Sequence, residues 1–136
     1  MSTANSSSTV VLFLLMAFRL TTPIGLTALG GYFSERSGII NIALEGIMLI
    51  GAFSAAVAAH FFHSVWIGIG AGMLAGAVTA LLHGVLCIFL RSDPIISGMA
   101  INFLALGIPP VVSKALFEMS GSTPSISPEV KLQPVF

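Results

Sequence analysis

The sequence predicts an all-α, polytopic transmembrane helix bundle of about four membrane-crossing helices. Three observations carry this. Of the 136 residues, 56% are hydrophobic and only 7% charged, whereas a soluble domain carries roughly 25% charge. Four apolar runs each approach the roughly 20 residues needed to cross a hydrocarbon core about 30 Å thick. The segments between the runs are only a few residues long, so consecutive runs must lie antiparallel. Each run must be helical, because lipid offers no partner to an open backbone group.

Residues 1–9 form a polar N-terminal segment without Lys or Arg, which lacks the positive n-region of a secretory signal. The first span covers residues 10–33, carries Arg19, and should kink at Pro23. The second covers 39–62. The third, 66–90, is free of Asp, Glu, Lys and Arg. The fourth covers 95–117, and Pro109-Pro110 should break or bend it near its far end. Residues 118–136 read as a polar extracytoplasmic loop, rich in serine and holding Gly121, Pro124, Pro128 and Pro134.

Charge sets the expected orientation. Arg36 and Arg91 fall in the first and third turns, which share a side, while the turn at His63-Ser64-Val65 has no Lys or Arg. The positive-inside tendency puts the arginine turns in the cytoplasm. Trp66 and Tyr32 fall near helix ends, where amphipathic rings favour the interface.

The third span carries small residues at every fourth position, Gly68, Gly72, Gly76, Ala80 and Gly84. That spacing lines one helical face and lets a neighbouring backbone approach. The second span repeats it with Gly51, Ala55 and Ala59. These stripes are expected to be helix-packing seams.

The polar residues inside the spans are the functional candidates. Residues 35–46 set Glu35, Arg36, Asn41 and Glu45 between two long apolar runs. An ionised group at mid-membrane depth costs about 2.5–3.5 kcal/mol on insertion scales, so such groups are kept for use or for shelter. On the span as predicted, Glu45 lies about 10 Å along the second helix, with Asn41 one turn earlier on the same face. Asn102 sits at similar depth in the fourth span, between Gly98 and Gly107. These three either line a substrate pathway or tie helix ends together, Glu45 and Asn41 reaching toward Arg36 or Ser37. Arg19 either snorkels to an interface or pairs with an acid on a neighbouring helix. His83 reads as a satisfied bundle histidine, and Cys87 as a small apolar packing residue. No His, Cys and acid grouping has metal-ligand spacing. The glycines from Gly68 to Gly76 lack the Lys and Ser/Thr of a phosphate loop. No catalytic residue, metal or cofactor is predicted, and the zero net charge without a basic block argues against a nucleic-acid partner.

Several strings together resemble one family. They are Thr22-Pro23, Ala28-Leu29-Gly30-Gly31, the run from Phe33 to Ile42, the run from Leu44 to Phe53, and the run from Arg91 through Asn102 to Gly107, followed by Thr123-Pro124. They resemble the membrane permeases of ATP-binding-cassette importers of the branched-chain amino acid and simple sugar type, nucleoside permeases most of all. The resemblance covers roughly residues 20–125. It implies a share in a larger permease bundle in the plasma membrane, importing nucleosides or related sugar-containing solutes. It also implies a second permease subunit, two cytoplasmic ATPase subunits and an extracytoplasmic solute-binding protein as partners, with the lipid bilayer around them. ATP hydrolysis would belong to the ATPases, and Asn41, Glu45 and Asn102 would lie near the translocation route.

The length departs from that family, whose permeases run to about twice 136 residues and hold a cytoplasmic coupling segment in their later half. The sequence therefore reads as the N-terminal half of a permease. Two other readings stay open: a four-helix homo-oligomeric transporter with Glu45 as a proton-coupled acid, and a non-transporting membrane scaffold.

Overall fold

A computed structural model describes residues 3–118 of the chain. Its four helices are α1 (Thr3–Arg36), α2 (Leu44–Phe62), α3 (Val65–Ile88) and α4 (Pro94–Phe117), with no strand among the described residues. All four are long and apolar enough to cross a membrane.

The chain divides into two compact units, the first ending at Gly38 and the second beginning at Ile39. In the first, α1 passes through both Arg19 and Pro23 without losing its helical backbone. Proline removes one donor, the one that would reach Arg19 O, without ending the helix. The Thr21 and Thr22 hydroxyls donate to the carbonyls of Ala17 and Phe18 at 2.7 and 2.9 Å, and Thr27 donates to Pro23 O at 3.0 Å. After α1, Ser37 and Gly38 close a turn, Gly38 at a φ of +89° that favours glycine.

In the second unit, α2, α3 and α4 pack on one another. The two-residue link of His63 and Ser64 turns α2 into α3. His63 adopts a left-handed backbone (φ 48°) and its Nδ1–H donates to His60 O at 2.8 Å. The carbonyl only accepts, which places the proton on Nδ1. At the other end α3 unwinds through Phe89 and Leu90, and the Asp93 carboxylate accepts from Ile95 N–H and Ile96 N–H at 2.8 and 3.3 Å. With Pro94 at the first helical position, this is a complete helix start.

Two small-residue faces meet between α2 and α3. A Cβ on Gly68 would stand 2.8 Å from Ala59 Cβ and 2.9 Å from Ala55 O; one on Gly72 would stand 2.9 Å from both Ala55 Cβ and Gly51 O. The backbones are therefore in contact, which only glycine permits. Gly76 faces Ile47 more loosely, at 3.7 Å. Gly84 faces open space and Ala80 is exposed, so α3 turns that part of its stripe away from α2.

The parallel pair α2 and α4 meets at both ends. At the far end, His60 and Phe61 contact Phe117 with ring centroids 5.1 and 5.8 Å apart. The expected break at Pro109-Pro110 does not occur: α4 stays helical to Phe117. Two missing N–H groups cost less than unwinding a lipid-facing segment, whose every backbone group would need a partner.

The bundle interior is built from small and polar side chains. Ala43, Ala59, Ile101 and Ala105 are its buried apolar residues, and Thr79, His83, Ser97 and Ser113 its buried polar ones, while the large apolar side chains point outward. This inverts a water-soluble protein and suits a hydrocarbon surround.

Candidate functional site

The polar candidates converge where α2 begins. The second span was expected to be helical from residue 39, but the helix starts only at Leu44. The cause is local. The Asn41 side chain curls forward, and its Oδ1 accepts from Ala43 N–H at 3.0 Å. Asparagine competes with the helix in this way because its side chain mimics a backbone turn. Asn41 therefore precedes α2 and does not share a helical face with Glu45. Glu45 is the second residue of the helix, not a residue 10 Å along it, and its side chain is exposed. An acid in the first turn complements the positive end of the helix dipole.

Asn102 does the tying expected of Glu45 and Asn41. It lies in the third turn of α4 and spans 56 to 60 residues of sequence. Its Oδ1 accepts from Gly46 N–H at 2.8 Å, and its Nδ2 donates to Ile42 O at 2.9 Å. A donor on one side and an acceptor on the other fix the amide's orientation. Gly46 is the third helical position of α2, so Asn102 supplies from another helix the cap that Ala43, without a polar side chain, does not. Arg36 and Ser37 instead bond locally, Arg36 Nη1 to Tyr32 Oη at 3.4 Å and Ser37 Oγ to Ser34 O at 2.6 Å.

Two glycines make this junction possible. A Cβ on Gly46 would fall 2.8 Å from Asn102 Oδ1 and 3.1 Å from Ala105 Cβ. A Cβ on Gly98 would fall 2.9 Å from Ile42 Cβ and 3.0 Å from Ala43 N. The non-helical backbone at Ile42 and Ala43 thus lies directly on α4, and Ala43 is fully buried there. Irregular backbone at membrane depth is tolerated where protein covers it in this way.

A second polar contact adjoins the first. His83 of α3 and Ser97 of α4, both nearly inaccessible, meet at 3.1 Å between Nδ1 and Oγ. Cys87 Sγ stands 3.8 Å from the same ring. Ser97 precedes Gly98, so α4 engages α3 and the start of α2 with successive residues. Ser97 is a site residue that hydropathy and helical spacing do not single out by themselves. The available signal was the helical spacing of Gly98, Asn102 and Ala105, which marks the face of α4 that receives α2. Among the described residues no group of three or more His, Cys, Asp or Glu is arranged to hold a metal ion.

The whole arrangement is polar groups of one helix satisfying the backbone of another inside an apolar shell. It suits a membrane domain with a defined break before its second helix. Comparison with known families agrees. A family described as "Branched-chain amino acid transport system / permease component" matches residues 13–135. The chain belongs to this permease family. Among similar permeases, the guanosine ABC transporter permease protein NupQ of Bacillus subtilis is 46% identical over 101 residues, 70% of this chain and 32% of the relative. The nucleoside ABC transporter permease protein NupC of Lactococcus lactis is 47% identical over 91 residues, 62% of this chain and 29% of the relative. The chain thus spans about a third of the length of these relatives. No solved structure matches it. Family membership and four apolar helices make it a multi-pass protein of the plasma membrane.

Proposed function

We propose that this chain contributes membrane helices to an ATP-binding-cassette importer of nucleosides or related sugar-containing solutes. The observation that carries this reading is the identity of 46% to a guanosine permease and 47% to a nucleoside permease. The partners are a second permease subunit, two cytoplasmic ATPase subunits and an extracytoplasmic solute-binding protein. ATP hydrolysis resides in the ATPases, and this chain performs no catalytic step.

Within that reading the break before α2 is the feature nearest to transport. Asn41 shapes it, Asn102 holds it against α4, and the exposed Glu45 is placed to line the route that neighbouring helices complete. The arginine turns face the cytoplasm, and the turn at His63 faces outward.

The test combines composition and uptake. Affinity-tagged chain, extracted in mild detergent from its native membrane, should bring down a nucleotide-binding ATPase subunit. Deleting its gene should abolish ATP-dependent uptake of labelled guanosine. Uptake driven by a proton gradient with no ATPase present would overturn the proposal. Glu45→Gln then separates roles: lost uptake with normal protein yield supports a place on the route, while normal uptake with low yield assigns Glu45 to folding.

A further inference from the structure

Cys87 is the last residue but one of α3. With 24 residues α3 is about 36 Å long, more than a hydrocarbon core of about 30 Å. Its end therefore reaches the boundary, at the turn that carries Arg91. The thiol is half-buried and takes part in no disulfide. A cysteine on an apolar helix is ordinarily an inert packing residue. Two neighbours set this one apart.

The first is His83, one turn earlier on α3 and only 3% exposed. Cys87 Sγ stands 3.8 Å from Nδ1 and 3.8 Å from Nε2. That contact is long for a made bond, and close enough to become one by rotation about the side-chain torsions. The second is Ser97 of α4, 4% exposed, whose Oγ lies 3.1 Å from His83 Nδ1. No other hydrogen bond or ion pair engages His83 or Cys87 among the described residues. The pair thus meets Ser97 on α4 and no bonded group on α2. The nearest charged residues along the chain are Arg91 and Asp93, and the Asp93 carboxylate is turned to Ile95 N–H and Ile96 N–H.

These three side chains make a nucleophile, a base and a group that orients the base. When Nδ1–H donates to Ser97 Oγ, the Nε2 lone pair is left for the thiol proton. After the transfer both N–H groups of the imidazolium have acceptors, Ser97 Oγ and the Cys87 sulfur. Thiolate and imidazolium together carry no net charge, so an apolar shell holds the pair at less cost than either ion alone. We propose that Cys87 is a modification site, a thiol activated by His83 that forms mixed disulfides with low-molecular-weight disulfides. The Cys87 proton passes to His83 Nε2, and the thiolate attacks one sulfur of the reagent. The new S–S bond forms as the reagent's own S–S bond breaks. The departing thiolate keeps the electron pair of that bond and takes the proton from His83. Excess free thiol reverses the exchange by the same route. The proposal concerns α3 and α4 alone and stands whether or not the transported solute is a nucleoside.

Exchange rates test it. Native membranes holding the tagged full chain are treated with 4,4′-dithiodipyridine and quenched in acid, and the pyridylthio adduct is read on the purified chain by intact mass. Cys87 is the single cysteine of the chain, so one adduct is the maximum. The reference is Cys87→Ala with Leu90→Cys, a thiol placed three residues on where the native side chain is 65% exposed. At pH 7 the native Cys87 should react faster than the reference, and His83→Gln should slow it at least about tenfold. At about pH 9.5, above the ordinary thiol range, the His83→Gln chain should come within about twofold of the native rate, because the thiol then ionises unaided. A native rate no greater than the reference, a native thiol that reacts only after denaturation in SDS, or a His83→Gln chain as fast as native at pH 7 would overturn the proposal. So would a His83→Gln chain that stays slow at alkaline pH, because His83 would then be a packing group. Where His83→Gln fails to accumulate, Ser97→Ala decides: slower exchange at pH 7 with alkaline recovery sustains the proposal, and an unchanged rate overturns it.

Discussion

One amide governs the start of α2. Asn102 receives Gly46 N–H and donates to Ile42 O, and these contacts lie between residues that no short-range signal connects. Asn102→Ala should lower the stability of the detergent-solubilised chain by about 1–3 kcal/mol, since two hydrogen bonds go and the Gly46 donor is left open. Asn102→Asp is the sharper variant. It keeps an acceptor toward Gly46 but sets an oxygen against Ile42 O, so it should be at least as damaging as alanine. Unfolding in increasing SDS, followed by circular dichroism, reads both. His83 and Ser97 form the adjoining pair, bonded at 3.1 Å in a buried setting. A double-mutant cycle of His83→Ala and Ser97→Ala should return a coupling of about 0.5–1.5 kcal/mol. A coupling of zero would mean that the contact contributes nothing to holding α3 on α4.

At the scale of the helices, the α2–α3 seam depends on particular glycines. Gly72 leaves no room for a Cβ, whereas Gly84, on the same four-residue repeat, meets nothing within 4 Å. Gly72→Leu should therefore cost about 1–3 kcal/mol through forced separation of the helices, and Gly84→Leu should stay within about 0.5 kcal/mol of the native chain. The same SDS titration compares them. This contrast also marks how far the sequence could be read. Helix number and type followed from hydropathy and length, and the seam at Gly68 and Gly72 from spacing, because both are local properties. The repeat alone does not say where α3 parts from α2. The unwound stretch before α2 reads as helix in the sequence because Ile39, Ile40, Ile42 and Ala43 look the same to a hydropathy window whether coiled or helical. What unwinds them is the Asn41 turn together with a partner on α4, and the second of these is a tertiary fact. Of the break or bend expected at Pro109-Pro110, the break is absent for the opposite reason: proline's local preference yields where the surround punishes an open backbone.

The unit formed by α2, α3 and α4 is turned inside out relative to a soluble protein, small and polar within and apolar without. Four helices that cross the bilayer in alternation, joined by short turns, should put Arg36 and Arg91 on one side and His63 on the other. A share in a nucleoside permease requires that weave. Cysteine accessibility tests it most directly. In a Cys87→Ala background, single cysteines at Ser37, Ser64 and Ser92 are exposed to a membrane-impermeant maleimide on intact cells. The account predicts labelling at Ser64 from outside, and labelling at Ser37 and Ser92 only after the membrane is opened. Labelling that puts Ser37 and Ser92 on opposite sides, or that reaches all three equally in intact cells, would contradict it.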